Sequence, residues 1–218
     1  EYIHVLGSDD LIIPGGVSKI LNKINQNIFS IIYLNYYSFE ENYQEPKSFF
    51  APDKSVEFSR PYDLLNYPSV GHFSGFIFKA DCLKKHLDIL LNKYETSFFE
   101  KHRGIIAFLS AYICSFETKN TYFIGERYLA TNYSKKTDYN SLEHLCVDYL
   151  EGHYLLFKDG VANQSDFEYR KNLIKKMLFK SSLRNLPFLT SKKNRDILND
   201  LNIYFGKDIY LIFVITPI

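Results

Sequence analysis

Apolar and polar positions change period several times along the chain, and each change marks an element. Tyr2-Ile3-His4-Val5-Leu6 is a short run of β-formers that stops at Gly7 and an acidic pair. It predicts a buried strand that delivers Asp9 and Asp10 to its C-terminal tip. Such a strand needs neighbours on both sides, so either strands precede it or it sits at a sheet edge. Behind Pro14-Gly15-Gly16, Val17, Ile20, Leu21 and Ile24 recur at helical spacing, and Pro14 stands where a helix tolerates it. Ile28 to Tyr37, rich in β-branched and aromatic residues, reads as a second strand running into an acidic loop.

Residues 40 to 70 lose periodicity and carry Pro46, Pro52, Pro61 and Pro68, which predicts a long irregular connection. Gly71 to Phe78 follows as a strand whose glycine lets something approach the backbone closely. Ala80 to Leu91 and the almost wholly apolar 104 to 114 read as helices, Thr121 to Ile124 as a short strand, and Leu142 to Phe157 as another helix. A last helix lies in a basic segment. The alternation gives an α/β fold, with residues 1–140 as one domain and 141–218 as a helical, basic C-terminal extension.

Composition sharpens this picture in three ways. The 218 residues are 46% hydrophobic and 17% aromatic, which excludes disorder for the bulk of the chain. Cys82, Cys114 and Cys146 are odd in number and widely spaced, so neither a disulfide framework nor a zinc site is indicated, and a reducing compartment is expected. No signal peptide is visible around Asp9 and Asp10, and the longest apolar run, Tyr210 to Ile215, is far short of a membrane span. A cytoplasmic chain is expected. It opens on Glu1, and its only methionine is Met177, as in a processed product or a piece of a longer protein.

The net charge of +1 hides a segregation, since residues 1 to 168 net −6 while 169 to 195 hold nine basic residues and no acidic one. Leu173, Ile174, Met177, Leu178, Phe179, Leu183 and Leu186 interleave with those charges. That spacing suits a helix lying on the anionic inner face of a membrane, and equally a solvated helix packed on its own domain. The acidic balance of the rest argues against nucleic acid.

The sharpest chemistry lies in Leu6-Gly7-Ser8-Asp9-Asp10-Leu11-Ile12-Ile13-Pro14-Gly15, two carboxylates between a strand and a helix. Ligands of open α/β sheets bind at the carboxyl ends of strands, and paired carboxylates there suit a hard divalent cation bridging to phosphates. Aspartate is also a common helix cap and turn residue, which leaves a purely local role open.

Val5 to Leu21 resembles the segment around the DXD-type motif of family 2 glycosyltransferases of the GT-A fold, and most of all the abequosyltransferase-like O-antigen and capsule enzymes. Ile31 to Asn35, the "SGFIFKAD" stretch within Gly71 to Asp81, and Tyr122 to Asn132 are similar to later segments of that family. The resemblance implies a GT-A-like mixed sheet flanked by helices and a metal-dependent, inverting transfer of a sugar from a nucleotide-sugar donor to a glycan or lipid-linked acceptor. It implies Mn²⁺ or Mg²⁺ on Asp10, with Asp9 as partner contact and Ser8 where the family's first aspartate is common. It further implies Glu100 or Glu95 as the base that deprotonates the acceptor hydroxyl, and His72, Ser74 and Gly75 along the acceptor pocket. The family's first three strands, which hold the nucleotide base and ribose, should lie before residue 1. A nucleotidyltransferase and a non-catalytic binding module on the same fold are the alternatives.

Overall fold

The computed structural model describes residues 1–25, 27–68, 70–102, 104–132, 147–184, 200 and 202–205, with side chains up to 176 in its longest helix. It divides into two units, 1–96 with 104–138 and 97–103 with 139–218. The segment 97–103, which the sequence placed in the first domain, belongs to the second unit.

The first unit is built on a mixed seven-stranded sheet flanked by helices, with strands β1 (Tyr2–His4), β2 (Leu11–Ile12), β3 (Ile31–Phe39), β4 (Ser48–Phe49), β5 (Val56–Phe58), β6 (Phe76–Lys79) and β7 (Thr121–Asn132). The order along the sheet is β1-β6-β3-β7-β2, with β4 added to β3 and β5 to β7. Among the described residues only β3 and β7 run parallel, and the other strand pairs are antiparallel.

The expected N-terminal strand is shorter than its β-forming run and lies at an edge, pairing only with β6 through Tyr2↔Lys79, Ile3↔Phe78 and His4↔Ile77. Residues 11–12 then pair with the far end of β7 at the opposite edge. Residues 5–10 therefore link strands at the two edges of the sheet, with Asp10 beside Asn132 at the carboxyl end of β7, and do not simply cap the tip of one strand. Gly15, in the left-handed region at φ 78°, turns the chain from β2 into helix α1 (Gly16–Ile24). Ile20 from α1 joins Ile32, Leu34, Ile77, Ile124 and Leu129 in one apolar core. On the helix side, α3 (Ala80–Lys93) packs on α5 (Ile105–Phe116), whose apolar sequence matches the unbroken burial of its residues 108–114. Cys82 and Cys114 are buried free thiols in these two helices.

Residues 40–70 are more ordered than their lack of periodicity predicts, since they hold β4, β5 and the helical turn α2 (Asp63–Asn66). One buried polar residue explains much of this. Asn35 donates its side-chain amide to the carbonyls of Gly125 (2.7 Å), Pro52 (3.2 Å) and Ala51 (3.4 Å), tying the loop to a bulge where the β3–β7 register shifts. Arg127 adds a hydrogen bond to the Ala51 carbonyl and an ion pair with Asp53.

In the second unit, Lys101 at the end of α4 (Thr96–Lys101) pairs with Glu151 (2.7 Å), and the His102 ring nitrogen donates to the Asp148 carbonyl at 3.0 Å. Helices α6 (Tyr149–Lys158) and α7 (Gln164–Arg184) stack Phe157 on Phe167. At the start of α7 the Asn163 side chain accepts the Asp166 N–H while Asp166 accepts that of Asn163, a reciprocal cap.

Candidate functional site

The turn that carries the acidic pair is closed by the Asp10 N–H donating to the Gly7 carbonyl at 3.2 Å, which leaves Ser8 and Asp9 at its tip. Asp10 points inward, and its side chain is only 3% exposed. Its Oδ2 accepts from His72 Nε2 at 2.8 Å and from the Ser74 hydroxyl at 2.5 Å, and the backbone of Asn132 at the end of β7 contributes a further bond. The Ser74 hydroxyl in turn accepts the Gly7 N–H at 2.9 Å, and His4 donates to the Ser74 carbonyl at 2.7 Å. Two stretches more than 60 residues apart in the chain are thus locked into one network.

His72 and Ser74 do not lie on a strand as expected. They belong to a bend and a 3₁₀ turn (Phe73–Gly75) immediately before β6. Tyr33, fully buried in β3, organises this turn: its hydroxyl accepts the N–H groups of Gly71 (3.3 Å) and His72 (3.1 Å) and donates to the His72 carbonyl (3.2 Å). Burial, with help from Tyr36, pushes the Tyr33 phenol well above its ordinary value, so it stays a donor. Gly75 is the residue that admits a close neighbour, and the neighbour is the Tyr33 ring, which would lie 2.4 Å from an added Cβ. Ser74 and Gly75 are buried and support the site from below, whereas His72, with 27% of its side chain exposed, reaches its surface. Tyr33→Phe should cost about 0.5–1.5 kcal/mol, because the N–H groups of exposed Gly71 and half-buried His72 lose their protein acceptor. Thermal unfolding and amide exchange at 71–73 check this, and unchanged protection there would contradict it.

Burial opposes ionisation of Asp10, but the hydrogen bonds of His72 and Ser74 and the charge of His72 outweigh it and hold the carboxyl below its ordinary value. The ionised form is therefore favoured more in the folded chain than in the unfolded one. Its stabilisation is complete above about pH 4 and is lost as the pH falls through the depressed folded value. Asp10→Asn should accordingly flatten the acid limb of stability, measured as the urea midpoint from about pH 6 downwards. An identical acid limb in the variant would contradict this.

Asp9 is half-buried at the turn tip and makes no side-chain hydrogen bond or ion pair among the described residues. Ser8 beside it is exposed. Among the described residues no three His, Cys, Asp or Glu side chains stand close enough to cage a metal ion. A cation that keeps waters and takes its remaining ligands from a diphosphate needs only one or two carboxylates, and Asp9 fits that demand better than the engaged Asp10.

Glu95, in the first unit between α3 and α4, and Glu100, on α4 in the second unit, are both exposed, and neither belongs to the network around Asp10. The acidic loop after β3 forms a separate small polar pocket lined by Glu40, Glu41, Asn42, Glu45 and Lys47. In the basic segment, Arg170 is buried and donates to the Tyr149 hydroxyl at 2.8 Å, and Lys171 pairs with Glu168. Those two charges are used inside the second unit; the side chains from 177 to 195 lie outside those described. No described helix is long and apolar enough to cross a membrane.

Sequence reasoning passed over Tyr33, Gly7 and His4. The available signal was a tyrosine among aliphatic residues in a strand that should be fully buried, which asks where its hydroxyl finds a partner. No protein-family model matches the chain, and no curated protein matches it at a significant level.

Proposed function

We propose that the chain carries the donor-phosphate and acceptor side of a metal-dependent glycosyltransferase domain, moving a sugar from a nucleotide-sugar to a glycan or lipid-linked acceptor. One observation carries the reading: the acidic turn lies beside the carboxyl end of β7, bonded through Asp10 to the Asn132 backbone, His72 and Ser74. Asp10 holds the turn in place, and Asp9 at its tip is the carboxylate offered to a divalent cation. Such an ion, when bound, would neutralise the charge that grows on a leaving nucleoside diphosphate. His72 borders the acceptor side. Of the two glutamates considered as base for the acceptor hydroxyl, Glu95 shares the unit that holds Asp9, and Glu100 does not.

A non-catalytic binding domain is the second reading, favoured by the full engagement of the Asp10 carboxylate within the fold. Release of nucleoside diphosphate from a panel of nucleotide-sugars, with and without Mn²⁺, separates the two. The transferase reading expects metal-dependent release that Asp9→Asn abolishes with the melting temperature unchanged. Release that ignores both the metal and Asp9 would refute it.

A further inference from the structure

Next to the acidic turn, four rings from three chain segments form a single column. Phe50 stacks on Tyr36 with centroids 4.8 Å apart, Tyr36 meets His72 at 5.1 Å, and His72 meets Phe73 at 5.3 Å. The end rings are open to solvent, Phe50 at 37% and Phe73 at 41% exposure. Isolated exposed phenylalanines are ordinary, but a packed aromatic column with solvent at both ends is not scatter. The Phe73 end abuts the acidic turn: an added Cβ on Gly7 would lie 2.8 Å from the tip of that ring and 2.9 Å from Asp10 Oδ2. Ser8 and Asp9 follow Gly7 at the tip of that turn, Ser8 exposed and Asp9 without a side-chain hydrogen bond among the described residues.

We infer that the open face of Phe73 is a seat for a pyranose ring. A pyranose presents partly positive C–H groups on one face and hydroxyls around its edge. The negative face of an aromatic ring attracts the first, and a carboxylate and a hydroxyl at its rim accept and share hydrogen bonds with the second. The column behind Phe73 restrains both ring and turn before any ligand arrives, which lowers the ordering cost of binding. The tether between Asp10 and His72, at 2.8 Å, joins the seat to the phosphate side of the site. This inference rests on the transferase reading of the same site and adds to it the residue that receives the sugar.

The test is saturation-transfer difference NMR on the unmodified chain with methyl hexopyranosides, and with uridine as a planar competitor. Transfer should be strongest to the ring protons of one pyranose face and should fall about fivefold in Phe73→Ala, while Phe50→Ala, at the far end of the column, retains most of it. Circular dichroism shows whether each variant is folded. Because the sequence has no tryptophan, Phe73→Trp adds a sole indole emitter whose fluorescence should change on saturation with the same glycosides. Transfer to uridine alone, or glycoside transfer unchanged in a folded Phe73→Ala, would overturn the seat. If the seat fails while Mn²⁺-dependent release of nucleoside diphosphate persists, the transferase reading stands without it; if both are absent, both fall.

Discussion

Gly125→Ala is expected to destabilise the first unit by about 3 kcal/mol or more, a large part of the stability of a typical domain. A Cβ at this position would lie 2.3 Å from the backbone carbon of Lys54 and 2.4 Å from its nitrogen. Backbone cannot rotate away as a side-chain tip can, so the 51–55 segment must move as a unit. That movement breaks the Asn35 bonds to Ala51 and Pro52, the Gly125 N–H to Ser55 Oγ bond of 3.0 Å, and the Ser55 to Glu126 bond of 2.9 Å. Gly15→Ala is the matched control: its left-handed backbone resists a side chain, but nothing lies within 4 Å of the added Cβ. The control should cost about 1 kcal/mol. In thermal unfolding the two variants should differ severalfold in their shift, and equal shifts would show that the loop is not pinned across β7 as described.

The second large effect separates two neighbouring aspartates. Asp10→Ala strips the acceptor from His72, Ser74 and the Asn132 backbone, and should cost about 1–3 kcal/mol as those donors lose their partner. Asp9→Ala removes no bond of the described fold and should leave stability within about 0.5 kcal/mol. For ligand binding the ranking reverses: Asp9→Ala should abolish cation-dependent binding of a diphosphate outright. Chemical denaturation paired with calorimetry of uridine diphosphate and Mn²⁺ reads both quantities on the same samples. Equal loss of stability in the two variants would mean that the turn is held by its backbone alone.

Much of the architecture was legible in local pattern. The helical spacing of Val17, Ile20, Leu21 and Ile24 marked α1, the aliphatic and aromatic run from Ile28 marked β3, and the apolar stretch after Gly104 marked α5, because each buries a face whose period the sequence records. Strand order was not legible. β1 and β2 are three and two residues long and lie at opposite edges, and nothing in Tyr2 to Ile12 distinguishes a strand ending in a carboxylate pair from a crossing between edges. The order within 40–70 was hidden because Asn35, Ser55 and Arg127 hold that segment by polar bonds between residues distant in sequence, which leave no periodicity. At the site, Asp9, Asp10 and His72 stood out as residue types. The partition of roles between the two aspartates depended on which carboxylate faces the 3₁₀ turn before β6, a matter of tertiary register.

The most direct test of the central claim is paramagnetic broadening of backbone amide signals by Mn²⁺ in the presence of inorganic pyrophosphate. It reads even weak occupancy and reports its position. The account predicts broadening centred on Ser8 and Asp9, dependent on pyrophosphate and lost in Asp9→Asn while the rest of the spectrum is unchanged. Broadening centred instead on Glu40 to Glu45, or unaffected by Asp9→Asn, would contradict a donor-phosphate site at this turn.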